Sequence, residues 1–235
     1  MTGVQTCALP ILDGTLVDSV DDLTVAANIA LKAAGYPPVS REDMGRFIGK
    51  GARVLIERVL TSKLGRAPSS TELEPMLTRY LAEMNGAKDC YTKLLPGVRE
   101  ALSRLKAAGI PMAVVTNKPS QAARSLLNRF ELTDFFDCII GADDVKTPKP
   151  DPEMLQMAAN IMRVNLKDCA MIGDSMNDAL AAENAGIQAL LVKTGYNEGI
   201  AIDLWVMQNK KSIPVFNTMT ELADNVLKIT TETTP

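Results

Sequence analysis

The sequence predicts an α/β protein: a doubly wound parallel-sheet core of the Rossmann-like kind with an inserted all-helical cap domain. Three observations predict it. From residue 110 to 192 short apolar runs alternate with helical patterns across short loops, the pattern of βαβ units whose sheet is covered on both faces. From about 18 to 91 the only periodicity is helical. The length, 235 residues, suits one large α/β domain or a core with an insert.

The insert is expected to hold helices over 20–34, 40–48, 52–64 and 70–84, with breaks at Gly35-Tyr36-Pro37-Pro38 and at 65–68. An amphipathic helix over 94–108, opening on Pro96-Gly97 and stopping at Gly109, returns the chain to the core. Strands follow over 110–115, 138–140, 168–172 and 188–192, and helices over 120–129, 152–162 and 178–185. This divides the chain into core segments 12–19 and 92–235 and a cap over 20–91, with a frayed tail over 230–235. Ligands of such sheets bind beyond the C-terminal ends of the strands, so chemistry is expected there.

Composition excludes several functions. Hydrophobic residues at 46% and charged residues at 23% are ordinary globular usage, against disorder or a fibre. No apolar run approaches the ~20 residues of a membrane span, so no membrane partner is expected. A net charge of −3 and a pI near 5.2 provide no broad basic field, so no nucleic acid is expected either. With no histidine in the chain, Ser-His-Asp and Cys-His catalysis and His-ligated zinc are unavailable. Cys7, Cys90, Cys138 and Cys169 form no CxxC pair and are widely spread. Free, mostly buried thiols in a reducing, cytoplasmic setting are the expectation. Monomer and homodimer both remain open.

Four motifs fall at predicted strand ends. Asp13-Gly14-Thr15-Leu16-Val17-Asp18-Ser19 is a turn signal followed by a carboxylate and hydroxyls. Val114-Val115-Thr116-Asn117-Lys118 is a strand ending in hydroxyl and amide donors. Lys146-Thr147-Pro148-Lys149-Pro150-Asp151-Pro152 fixes a lysine in a backbone constrained by three prolines. Met171-Ile172-Gly173-Asp174-Ser175-Met176-Asn177-Asp178 runs an apolar strand into two carboxylates, of which Asp178 also suits a helix N-cap. Order and spacing together resemble the haloacid-dehalogenase-like phosphohydrolases from Leu12 to about Asn225.

The resemblance implies a phosphatase with Mg²⁺ as cofactor and a small-molecule phosphate ester as partner. Asp13 would protonate the leaving oxygen and then activate water, its backbone carbonyl ligating Mg²⁺. Thr116 and Asn117 would bind phosphate, Lys149 would bridge phosphate and nucleophile, and Asp174 would ligate Mg²⁺, with Asp178 in or behind the metal's ligand set. The chemistry is coherent, because phosphoryl transfer needs positioning and charge stabilisation, and hard carboxylate oxygens suit Mg²⁺.

One position departs from the pattern. The family motif is Asp-x-Asp-Gly-Thr, whose first aspartate forms the aspartyl-phosphate; here that slot holds Ile11. Isoleucine has no lone pair, so the chain as written is expected to be inactive. Residues 2–11, Thr-Gly-Val-Gln-Thr-Cys-Ala-Leu-Pro-Ile, are similar residue for residue to a translated frame of a common short-read sequencing adapter. Residues 1–11 are therefore read as an artefactual leader. Pro10 would also interrupt a central ladder, and an unstable or aggregation-prone product is expected.

Substrate choice rests on weaker signals. Phe47-Ile48-Gly49-Lys50-Gly51, Leu95-Pro96-Gly97-Val98 and Thr194-Gly195-Tyr196-Asn197 resemble the phosphoglycolate phosphatases within the family. Lys50 would lie over the site and favour 2-phosphoglycolate, and Arg53 could assist as a carboxylate fork. A phosphatase or phosphomutase for another small ester (sugar phosphate, pyrophosphate or nucleotide) and a non-catalytic phosphate-binding protein remain open.

Overall fold

The computed structural model describes residues 7–86 and 91–232; Cys90, the first six residues of the leader and the last three of the tail lie outside the described residues. The chain runs through β1 (Cys7–Pro10) and β2 (Val17–Asp18) into four helices, α1 (Val20–Ala33), α2 (Arg41–Phe47), α3 (Gly51–Leu64) and α4 (Ser70–Gly86). It returns through β3 (Lys93–Leu94), α5 (Val98–Ala107), β4 (Ala113–Val115), α6 (Ser120–Arg129), β5 (Cys138–Ile140) and α7 (Glu153–Met162). Then come β6 (Cys169–Gly173), α8 (Met176–Ala185), β7 (Gln188–Val192), α9 (Ile202–Gln208), β8 (Val215–Phe216) and α10 (Met219–Glu232).

Strands β1, β6, β7 and β8 form one parallel sheet in that order, and β4 pairs in parallel with β5. A single bridge between Ala8 and Met112 joins the two pieces, which places β1 between β4 and β6. The gap at this seam has a local cause. The Ala8 amide donates to Pro111 on the β4 side, and the Ile11 amide donates to Ile172 on the β6 side. Alternation along a strand turns position 10 toward β4, where proline has no N–H to give. The interruption expected of Pro10 is thus confined to one side of the strand.

The same alternation sorts the core. Ala8, Ala170 and Ile172 pack with Leu102, Leu127 and Leu222 of α5, α6 and α10. Leu9 and Met171 face the other way, onto Met154, Leu155, Ala181 and Ala182 of α7 and α8. Both faces are covered, so these strands are apolar throughout. Helices α1–α4 enclose a separate core of residues such as Leu31, Met44, Ile56 and Leu60. The chain leaves the sheet through β2 and returns through β3, which pair antiparallel, Val17 with Leu94 and Asp18 with Lys93.

Several expectations are corrected. Cys7 and Cys169 are joined in a disulfide across a Cα separation of 4.5 Å, not free, because β1 and β6 set them directly opposite. Their separation of 162 residues hides this pairing in the sequence. Cys138 is free. The helix expected from 94 begins at Val98, since Gly97 caps it in a left-handed conformation against Thr220. Helix α8 starts earlier than expected, at Met176, through a capping box between Ser175 and Asp178. The polar tail is helical through Glu232. Among the described residues no helix is long and apolar enough to cross a membrane.

Candidate active site

The carboxyl ends of β1, β4, β6 and β7 converge under the helical unit on one cavity of about 100 Å³. Its sheet-side wall includes Ile11, Asp13, Thr116, Lys149, Asp174 and Asp178. All four sequence motifs therefore meet in one place, as parallel strands that stop at one edge require.

The first loop is tight. The Gly14 amide donates to Val17 and the Leu16 amide to Leu12, with Gly14 at φ 94. Asp13 Oδ1 accepts from Ser19 Oγ at 2.5 Å and from Lys118 Nζ at 2.9 Å. Thr15, fully buried, donates its hydroxyl to Asp174 Oδ1 at 3.0 Å.

Thr116 follows β4. Its oxygen accepts the Lys118 amide at 3.1 Å, leaving the hydroxyl proton free to donate. Asn117 bonds both backbone groups of Lys149, donating to its carbonyl and accepting from its amide, each at 3.1 Å. Asn117 thus fixes the lysine's loop. Lys149 Nζ reaches Asp178 Oδ1 at 2.8 Å and the Val115 carbonyl at 3.0 Å, with both side chains of the ion pair almost fully buried. The other oxygen of Asp178 accepts from the Asp174 and Ser175 amides and the Ser175 hydroxyl. Asp178 is fully committed to bracing this corner.

Asp174 differs. Its two oxygens accept one bond each, from Thr15 and from the Tyr196 amide at 3.1 Å. Gly14 and Gly195 press on it so closely that a Cβ on either would collide with the carboxylate. Burial, then the negative charge of Asp178, push its pKa up to about 8, while the Tyr196 amide and Thr15 hydroxyl pull the other way. Such a buried carboxylate calls for a proton or a hard cation. Mg²⁺ accepts one or two carboxylates with water and substrate oxygens completing its octahedron, so Asp174 fits as a ligand. Asp13 and Asp178 have their carboxylates engaged, and Ile11 adds no donor. Among the described residues no group of three or more His, Cys, Asp or Glu side chains converges on a metal position.

Two predictions arise from this corner. An acid whose pKa is about 8 folded and about 4 unfolded takes up a proton on folding between those values. Without divalent metal, the Tm is expected to fall as pH rises from about 4 to about 8, and Asp174→Asn to flatten that slope. An unchanged slope in the variant would assign it to another group. Gly195→Ala is expected to lower stability by about 1–3 kcal/mol through overpacking against Asp174, read by urea unfolding.

The remaining candidates lie elsewhere. Lys50 does not line the cavity; it is partly exposed and pairs with Glu198 at 3.3 Å. Arg53 is more exposed still and pairs with Glu74 at 2.7 Å. Glu198 also accepts from Arg58 at 2.8 Å, and Asn177 donates to the Gly49 carbonyl at 3.3 Å, so core and helical unit are in direct contact. Lys118, Thr15 and Tyr196 also stand within the motifs, and no role follows for them from the sequence. Their signal was the same as their neighbours': polar groups immediately after a predicted strand.

Comparison with known proteins agrees with this geometry. Residues 12–192 match the family described as haloacid dehalogenase-like hydrolase. The phosphoglycolate phosphatase of Nitrosospira multiformis is 40% identical over 190 residues, covering 80% of this chain and 83% of that protein. That of Vibrio cholerae is 41% identical over 195 residues, covering 80% and 84%. The crystal structure of a predicted phosphoglycolate phosphatase from Haemophilus somnus superposes with a TM-score of 0.83 at 30% identity, over 96% of this chain and 97% of that one. By sequence, sheet order and the convergence of its four motifs, the chain belongs to the haloacid dehalogenase-like hydrolases.

Proposed function

We propose that the chain carries the site of a phosphatase for 2-phosphoglycolate or a closely similar small ester, and that Ile11 lets it bind such an ester without turning it over. The position of Ile11 carries this reading. It immediately follows the central strand β1, is 7% exposed, and shares the cavity wall with Asp13, Thr116 and Lys149. An attacking carboxylate would have to stand there, and a butyl side chain has no electron pair to offer phosphorus.

The other residues suit the reaction. Thr116 would donate its hydroxyl to a phosphoryl oxygen, while Lys149 and Lys118 supply positive charge at the same end of the cavity. Ser19 and Lys118 hold the Asp13 carboxyl in one orientation. With a carboxylate at position 11, attack on phosphorus would expel the ester oxygen, which takes a proton from Asp13. Asp13 would then remove a proton from the water that opens the acyl phosphate, returning the site to its starting state. Bound Mg²⁺, held by Asp174 and the Asp13 carbonyl, would neutralise charge on the phosphoryl oxygens.

The names of the relatives make 2-phosphoglycolate the first substrate to test, and the small cavity favours it over a nucleotide. The unaltered chain is expected to bind orthophosphate and vanadate in Mg²⁺ and to release no phosphate from 2-phosphoglycolate. Turnover by the unaltered chain would overturn the role given to Ile11. No preference for 2-phosphoglycolate over sugar phosphates or pyrophosphate, once a carboxylate is restored, would move the substrate assignment elsewhere in the family.

A further inference from the structure

Two lips of the cavity meet on one side. The first is the turn into α3, where Ile48, Gly49, Gly51 and Ala52 line it; the second is the loop after β7, where Tyr196 and Asn197 do. A side chain of the second lip reaches into the first.

Glu198 follows Asn197 directly. Its Oε2 accepts from Arg58 Nη2 on α3 at 2.8 Å, and its Oε1 lies 3.3 Å from Lys50 Nζ. The carboxylate is close enough to Gly49 that a Cβ there would stand 4.0 Å from Oε1. Arg58 is fixed in turn by donating to the Phe47 carbonyl at 3.1 Å. One carboxylate from the sheet side thus gathers two cations of the helical unit. Its backbone sits at φ 53, in the left-handed region that residues other than glycine seldom adopt. Such a conformation persists where surrounding contacts over-determine it.

The base of this contact is firm. The Tyr196 amide donates to Asp174 at 3.1 Å, the Met176 amide to Asn197 Oδ1 at 2.6 Å, and the Thr194 hydroxyl to the Gly14 carbonyl at 2.7 Å. Glu198 therefore stands on a loop tied to the strand ends. A second polar contact at this seam is weaker: Asn177 donates to the Gly49 carbonyl at 3.3 Å, while its own buried oxygen has no partner among the described residues.

We propose that Glu198 is a positioning residue whose carboxylate latches α3 onto the loop after β7 and so sets how firmly the helical unit covers the cavity. It acts through Arg58 and Lys50 and not on a ligand. A carboxylate between two cations makes charge-assisted bonds that a neutral amide replaces only in part. With the latch loosened, the lips at 48–52 and 196–197 part more often, and a molecule in the cavity leaves sooner. The latch rests on these contacts alone; its effect on a bound anion rests also on the phosphate site proposed above.

The test is amide hydrogen exchange of the full chain and of Glu198→Gln, with orthophosphate affinity in Mg²⁺, by calorimetry, as a second readout. Exchange over 45–52 and 194–199 is expected to quicken about fivefold in the variant while β6 and β7 keep the parent's rates, the scale of one ion pair at a partly exposed position. Orthophosphate affinity should fall by a similar factor. Arg58→Met breaks the same pair from the helical side and should quicken the same segments, and the double variant should exceed either single one only slightly. Unchanged exchange at 45–52 in both single variants would overturn the latch. So would an increase spread evenly over the whole chain, the mark of general destabilisation. Faster local exchange at an unchanged orthophosphate affinity would overturn its role over the cavity. If orthophosphate does not bind the parent at all, the phosphate site falls, and the exchange comparison still decides the latch.

Discussion

Replacing Ile11 with aspartate is expected to convert a binding protein into a Mg²⁺-dependent phosphatase, with phosphate release from 2-phosphoglycolate rising by at least about a thousandfold. The side chain at 11 already faces the cavity beside Asp13, Thr116 and Lys149, so the substitution needs no change of backbone. The new carboxylate enters a nearly closed position, and its desolvation should make the variant less stable than the parent in EDTA. Mg²⁺ should recover that loss, because a second hard oxygen donor joins Asp174. A colorimetric phosphate assay with and without EDTA, beside a melting curve, reads both effects. A variant that is folded, responds to Mg²⁺ and still releases no phosphate would show that position 11 is not where the nucleophile belongs.

The second large effect is on stability. Lys149→Met should destabilise the chain by about 3–5 kcal/mol, the cost of leaving one member of a buried ion pair without its partner. Both side chains are at most 3% exposed, and Asp178 keeps only its bonds to Ser175 and the Asp174 amide when the ammonium is gone. For a domain of this size the melting temperature should fall by on the order of 10 °C. Adding Asp178→Asn to Lys149→Met should recover part of the loss, since the orphaned charge then disappears with its partner. A single variant that melts within about a degree of the parent would mean that the pair contributes nothing net.

How much of this was legible in the sequence differs by element. The helices of the insert are recovered to within a few residues because 3.6-residue periodicity and the Gly-Pro breaks bound them sharply; α6, β5 and β7 match the expected spans outright. Strands β2 and β3 have two residues each, too few for any period to register. Helix α9, strand β8 and helix α10 lie beyond the last motif, outside the elements that the sequence predicts. Asp13, Thr116 and Asp174 follow strands closely and Lys149 sits in the loop after β5; all four line one cavity, because parallel strands bring their ends together. Their contacts are not legible in the sequence. Neither the pairing of Asp178 with Lys149 nor the diversion of Lys50 to Glu198 leaves a trace along the chain, since each depends on residues brought close only by folding.

The antiparallel pairing of β2 with β3 has a consequence for how such a protein can change over time. Asp18 and Lys93 are opposite one another, so everything between them is a detachable cassette whose two ends meet at a single doorway. A segment of another length and architecture can be spliced in there without altering one strand of the sheet, because the splice points stay where they are. Under the proposed function, the wall that would hold phosphorus belongs to the sheet, and the wall opposite belongs to the segment between β2 and β3. A change of that opposite wall would then leave the strand ends and the groups they carry where they are.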